Sequence, residues 1–255
     1  MKGKVCKMKK IFLLIMLLTL GVISCGTKNE VTTEKELKVG LNSTFAPFEY
    51  IKDGQLTGFD VDLINEIGKN LGYKITFVDQ SFDGLIPSLK AGKIDLIVSG
   101  MSATEERKQS VDFTDEYFSS TQVYLRKKGN TSIDTKEGLS GKKVGVQLGT
   151  IQEIEGKKIN GAIVVANEST VNVLMELNAG KSDAVILENI VAYEYLKNYP
   201  DLEVFFEEPI NAGMAMAFDK GKHTELISQI NSELKKLKEN GKYDELRKKY
   251  GLDNK

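Results

Sequence analysis

Tryptophan is absent from the 255-residue chain, histidine occurs once, cysteine twice and proline four times. A single His, His223, leaves almost no material for a His-based metal centre or a His-assisted nucleophile. Both cysteines, Cys6 and Cys25, lie in the first 25 residues, so the rest of the chain cannot be a disulfide scaffold. Collagen-like and low-complexity classes are excluded by the same composition. Positive charge is also scarce where it would matter. Of 35 Lys plus Arg, five (Lys2, Lys4, Lys7, Lys9 and Lys10) sit in the first ten residues, and beyond Cys25 there remain 30 positive against 36 negative charges. No basic field is left to hold nucleic acid phosphates. What is present is a 41% apolar chain long enough for one large domain or two modest ones.

The basic start runs into Ile11 to Leu20, an apolar stretch too short to span about 30 Å of hydrocarbon comfortably but long enough for the core of an export signal. Val22, Ile23, Ser24 and Cys25 then resemble the lipobox of bacterial lipoproteins. That resemblance implies that 1–25 is a lipoprotein signal peptide, that Cys25 carries the lipid, and that 26–36 is a polar tether. Two or three acyl chains would hold the protein at a membrane surface, where one alone binds marginally. The folded part is expected from Leu37.

From there, short β-type runs alternate with amphipathic helical stretches, the pattern of parallel α/β units. Leu37–Leu41 reads as a strand, Phe59–Leu71 as a helix stopped by Gly72, Tyr73–Val78 as a strand and Asp95–Val98 as a buried strand. Phe82–Ala91 reads as a short helix, with Pro87 awkwardly near its middle. Further on come a strand at Met214–Phe218 and an amphipathic helix at Thr224–Glu239 whose Leu226, Ile227, Ile230, Leu234 and Leu237 share one stripe. Within this order the chain repeats itself. Lys90-Ala91-Gly92-Lys93-Ile94-Asp95 is echoed by Asn178-Ala179-Gly180-Lys181-Ser182-Asp183, and Lys38-Val39-Gly40 by Lys143-Val144-Gly145. Two related lobes are implied, each with a strand ending where open parallel sheets bind ligands. Chain crossings near Tyr124–Gly129 and Glu207–Gly213 would form a hinge.

Ser99 to Arg107 follows one of those strand ends. Small residues leave backbone N–H groups approachable there, and the Arg107 guanidinium can grip a carboxylate in a planar fork. Thr104, ahead of Glu105 and Glu106, is also a good helix N-cap, so the segment has a purely structural reading in which Arg107 pairs with Glu106. At the equivalent strand end of the other lobe stands Glu188, able to pair with an ammonium or to cap a helix. Opposite charges on opposite walls describe a receptor for a zwitterion, and free amino acids are the obvious small ones. Phe45 and Phe82 follow the first two strand ends and could flank such a ligand's side chain.

These segments, with Ala46-Pro47-Phe48-Glu49, Gly58 to Asp62, Phe82 to Leu89 and Val111 to Thr114, make the chain resemble the periplasmic amino-acid-binding family of ABC importers, the group of histidine-, glutamine- and lysine/arginine/ornithine-binding proteins. The resemblance runs from about Leu37 to Leu252. It implies an α/β, two-lobed periplasmic-binding-protein-like (type II) fold, each lobe a mostly parallel sheet flanked by helices with the ligand cleft between them. Lobe 1 would comprise 37–125 and the return segment 208–255, and lobe 2 residues 126–207. By the same resemblance Arg107, Gly100 and Ser102 take the ligand α-carboxylate, Ser99 faces the α-amino group, Phe45 and Phe82 sandwich the side chain, Thr150 meets the carboxylate on closure, and Gln147 reads the side chain. Two departures bear on specificity. Glu188 replaces a more usual Asp, and Asn42 stands where several members that bind basic side chains have an acid, which shifts weight toward neutral polar ligands unless Asp79, Asp83 or Glu49 compensates.

The expected function is therefore binding without chemistry: a monomer that closes on a free polar amino acid and presents both lobes to a membrane permease, without cofactor or metal. The competing class is a solute-binding-protein-like dehydratase of the cyclohexadienyl type, with Glu188 as the acid. A signalling receptor would need a downstream membrane helix or kinase region, and none is expected after the last helix.

Overall fold

A computed structural model describes residues 35–253. The expected signal peptide, Cys25 and all but the end of the tether lie outside the described residues. Strand β1 (Lys35–Leu41) starts two residues before Leu37, because Lys35 and Glu36 already pair with Tyr73 and Lys74 of the strand that runs parallel beside it.

A small antiparallel sheet follows, of β2 (Thr44–Phe45), β3 (Glu49–Lys52) and β4 (Gln55–Thr57). Helix α1 (Phe59–Leu71) ends as the sequence predicts: Gly72, at φ 75°, turns its N–H back onto the carbonyls of Gly68 and Lys69. After β5 (Tyr73–Asp79) the expected helix at 82–91 divides into a 3₁₀ turn at Phe82–Gly84 and α2 (Leu85–Lys90). Pro87 thereby falls in the first turn of α2, where its missing N–H has no helical partner to lose. Strand β6 (Leu96–Ile97), helix α3 (Glu105–Lys108) and β7 (Val111–Phe113) complete the first pass.

The chain then builds β8 (Thr121–Lys127), β9 (Lys143–Gln147), α4 (Ile151–Lys158), β10 (Ile163–Asn167), α5 (Thr170–Asn178), β11 (Ala184–Glu188), α6 (Asn189–Leu196) and β12 (Leu202–Pro209). It closes with β13 (Ala217–Asp219), α7 (Thr224–Glu239) and α8 (Lys242–Lys249). Two five-stranded sheets result, in the orders β5-β1-β6-β13-β7 and β10-β9-β11-β8-β12. In each, the first three strands are parallel and the fourth runs antiparallel to both its neighbours. That fourth strand is the first one laid down after the chain changes sheet. The change into the second sheet is complete by Thr121, so the crossing expected at Tyr124–Gly129 is corrected to the segment before it. Residues Tyr124 to Lys127 are inside β8, committed to ladders with β11 and β12 on both sides. The return crossing lies between Pro209 and Ala217, where Met214 makes isolated bridges to Ser102 and Phe118.

The repeated motifs have one physical explanation. In the first sheet Lys38 N–H donates to Asp95 Oδ2 at 2.7 Å while Asp95 N–H donates to the Lys38 carbonyl at 2.8 Å; in the second, Lys143 and Asp183 do the same at 2.8 Å each way. Each motif pair thus ties the incoming strand to the first at its base. Apolar clusters cover both faces of each sheet, as near-continuous apolar strands require.

Candidate functional site

The ends of β1, β6, β9 and β11 converge on one cavity between the two sheets. Its walls are Asn42, Phe45, Glu49, Phe82, Ser99, Gly100, Ser102 and Arg107 from the first sheet's side, Gln147, Thr150, Ile151, Gln152 and Glu188 from the second's, and Ile210 and Met214 from the return crossing. All ten residues singled out in the sequence line it, with Arg107 and Glu188 contributed by opposite sheets. The cleft is shut. The cavity left between the walls is about 20 Å³, room for little more than one water molecule.

Arg107 is placed by Thr104, whose hydroxyl accepts from the Arg107 N–H at 3.2 Å and so caps α3. Its side chain does not pair with Glu106. Nη1 donates to the Ser102 carbonyl and Nη2 crosses the cleft to the Gly149 carbonyl, both at 2.9 Å, while the guanidinium carbon sits 5.4 Å from the centroid of the Phe82 ring. Phe82 therefore supports the guanidinium as well as lining the cavity. Burial lowers the Arg107 pKa to about 10, so it stays cationic at neutral pH. Two of its five N–H donors are spent on backbone carbonyls.

Gly100 is required where it stands. Its φ is 51°, and a Cβ there would come 2.5 Å from Phe45 Cε1. Thr150 caps α4 by accepting from Glu153 N–H at 3.4 Å, and Glu153 Oε2 accepts from Gly149 N–H at 2.7 Å, which orders the second-sheet loop that meets Arg107. Glu188 fills both roles open to it in the sequence: Oε2 accepts from Val191 N–H at 3.0 Å and caps α6, and the buried side chain also lines the cavity.

At the end formed by Asn42 and Gln147 the hydrogen bonding is nearly saturated. Gln147 Nε2 donates across the cleft to Asn42 Oδ1 at 3.0 Å and to the Glu168 carbonyl at 3.2 Å, while Gln147 Oε1 accepts from Thr170. Asn42 Nδ2 donates to the Gln80 carbonyl, and its Oδ1 also accepts from Thr44. A third bridge between the sides runs from the Tyr195 hydroxyl to the Thr44 carbonyl at 3.0 Å.

Of the three acids named as possible compensators for Asn42, only Glu49 lines the cavity. Asp79 is occupied with the Ser43 N–H and hydroxyl, and Asp83 is exposed outside it. Ile151, Gln152, Ile210 and Met214 are wall residues without a sequence signal beyond their nearness to Thr150 or to the return crossing. His223 sits just before α7, against Phe218 and away from the cavity.

Residues 37–253 match the bacterial extracellular solute-binding proteins, family 3. The chain belongs to this family. Over 229 residues it is 45% identical to a probable histidine-binding protein of Campylobacter jejuni, covering 89% of this chain and 90% of that one. It is 36% identical to an arginine-binding extracellular protein of Bacillus subtilis over 253 residues, 95% and 98% of the two chains. Among solved structures, an ancestral arginine-binding protein bound to arginine superposes with a TM-score of 0.81 at 42% identity, covering 84% of this chain and 97% of that one. The two-lobed binding-protein fold is thus this protein's fold. These family 3 relatives are binding proteins, which favours binding over the dehydratase reading. Among the described residues no helix of this family 3 protein is long and apolar enough to cross a membrane.

Proposed function

We propose that the protein is the amino-acid-binding component of an ABC importer, taking a free polar amino acid by its two charged head groups between the sheets. The observation that carries this reading is Arg107 and Glu188 lining one cavity from opposite sides. The ligand α-carboxylate belongs with the Arg107 guanidinium, the Gly100 N–H and the Ser102 hydroxyl, and with the Thr150 loop that Arg107 reaches across the cleft. The α-ammonium belongs with Ser99 and Glu188. Phe45 and Phe82 border the side chain, which points toward Asn42 and Gln147. Asn42 and Gln147 offer amides, and Glu49, the one compensating acid that lines the cavity, is engaged by the Ser99 hydroxyl, which favours a neutral polar side chain over a cation left unpaired. Relatives named for arginine and histidine keep the basic class within the same test.

Entry requires the lobes to part about the two crossings, and the ligand's contacts with the second lobe supply the closing free energy. The closed form would be what a membrane permease meets. Lipid on Cys25 would hold the protein, as a monomer, at the outer face of the membrane. The test is a thermal-shift screen of the purified chain against all common amino acids, since a ligand that binds only the folded state raises its Tm with occupancy. A shift with at least one polar amino acid is expected. No shift with any, together with turnover of a prephenate-like acid, would reverse the reading toward the dehydratase.

A further inference from the structure

Two completely buried acids meet at the cavity wall. Glu49 on β3 and Asp60 in the first turn of α1 have no solvent exposure. Each holds one of two adjacent residues near the start of the loop that follows β6. Ser99 Oγ donates to Glu49 Oε1 at 2.7 Å; Gly100 N–H donates to Asp60 Oδ2 at 2.8 Å, and the Tyr117 hydroxyl donates to the same oxygen at 2.7 Å. The remaining oxygens, Glu49 Oε2 and Asp60 Oδ1, are buried with no other hydrogen-bond partner, and a hydrogen bond between the two carboxyl groups contributes to both pKa shifts, raising Glu49 and lowering Asp60. Two carboxylates cannot satisfy one another. A carboxylic acid and a carboxylate can, through one proton between those two oxygens.

We propose that Glu49 is a proton-bearing positioning residue: as a neutral acid hydrogen-bonded to ionised Asp60, it fixes the Ser99–Gly100 loop in its ligand-receiving geometry and makes the Ser99 hydroxyl an acceptor toward the ligand. The last point follows from counting. The Ser99 hydrogen is committed to Glu49, and one lone pair accepts from Asn42 N–H at 3.0 Å, so one lone pair remains for an ammonium. The electrostatics agree. Burial, and then the Asp60 charge, push the Glu49 carboxyl well above the usual range, whereas burial raises Asp60 only to about 6, because Tyr117, Gly100 and Glu49 all donate to it. The other ionisable groups bearing on the pair are Asp79, Tyr117, Tyr195 and Tyr243, with Arg107 and Glu188 across the same cavity; none is a cation in contact with either acid. Lowering the pH through the Asp60 range adds a second proton, weakens the acceptor that holds the Gly100 N–H and loosens the loop.

This inference rests on the amino-acid-binding reading, and the experiment separates the two. Affinity for the amino acid giving the largest thermal shift is measured by calorimetry for the wild type, Glu49→Gln and Glu49→Ala, from pH 5 to pH 8. Glutamine reproduces a neutral acid that donates to Asp60 and accepts from Ser99, so E49Q should bind within about threefold of wild type, and E49A should lose about 5- to 100-fold, the range set by orphaned buried hydrogen bonds. Wild-type affinity should be level above pH 7 and fall below about pH 6, as a purely structural glutamate would not require. A tenfold or larger loss in E49Q would mean that Glu49 is an anion paired with the ligand, and would overturn the inference; so would a pH-independent affinity. Infrared spectroscopy of the wild type at neutral pH needs neither ligand nor variant. A buried protonated-carboxyl C=O band is expected, and its absence overturns the inference even if no amino acid binds, a result that would otherwise count against the functional reading alone.

Discussion

Replacing Arg107 by Ala removes three things at once, and their sizes differ. The 5.4 Å contact with the Phe82 ring is worth about 1 kcal/mol at a partly buried site. The bond from Nη2 to the Gly149 carbonyl bridges the lobes, as do the Gln147–Asn42 and Tyr195–Thr44 bonds, and its loss costs on the order of 1 kcal/mol of closure. The dominant loss is the partner of the ligand carboxylate. A buried charge left unpaired costs about 2–5 kcal/mol, which lowers affinity by about 30-fold to a few thousand-fold. Arg107→Lys should recover only part of this, because a point charge cannot bond the Ser102 carbonyl, the Gly149 carbonyl and a carboxylate together. Calorimetric titration of wild type and both variants with the same amino acid reads the difference directly, and urea unfolding of the ligand-free proteins checks that stability changes by no more than the small ring-contact and bridging terms. R107A binding within threefold of wild type would refute the reasoning.

Other consequences can be checked separately. Gly100→Ala forces a side chain into the left-handed region and against Phe45, so it should destabilise the fold by about 1–2 kcal/mol or more and weaken binding; unchanged urea midpoint and affinity would show the turn to be adaptable. Asp95→Ala and Asp183→Ala each remove one side-chain acceptor at equivalent positions, costing about 1 kcal/mol apiece, and, lying in different sheets, should add in the double variant; strong non-additivity in denaturant unfolding would contradict the independence of the two ties. The Asp219 carboxyl is held down to about 2 by hydrogen bonds to Lys222 and Lys90. Its folded pKa lies below the unfolded value of about 4, so it contributes stability above pH 4 that disappears as pH falls toward 2. Asp219→Asn should accordingly lower stability at pH 7 and narrow the difference between pH 7 and pH 2; parallel pH profiles would show that the pairing does not stabilise the fold.

Much of this architecture was legible because local chemistry and tertiary position agree. Gly72 stops α1 in both, Thr104 caps α3 in both, and the repeated Lys-Val-Gly and Gly-Lys-x-Asp motifs mark the base of each sheet because they bond to each other there. Pro87 misled only as to where the helix begins, since a 3₁₀ turn occupies its expected first turn. The crossing lies earlier than expected because the β8 run around Val123, Tyr124 and Leu125 reads as a strand and nothing local says which sheet it joins. Partnership with β11 and β12 is a long-range fact. Glu49 was the least legible residue of the site. An acid at the end of Ala-Pro-Phe-Glu reads equally well as surface or as ligand partner, and only its burial against Asp60 and Ser99 distinguishes it.

The central claim is that both head groups of one amino acid are held between the lobes. It is tested most directly by calorimetric titration with the preferred amino acid, its decarboxylated amine and its deaminated acid. The account predicts strong binding of the first and at least a 30-fold loss, the factor that about 2 kcal/mol commands, for each of the others. Either truncated analogue binding as tightly as the amino acid itself would contradict it.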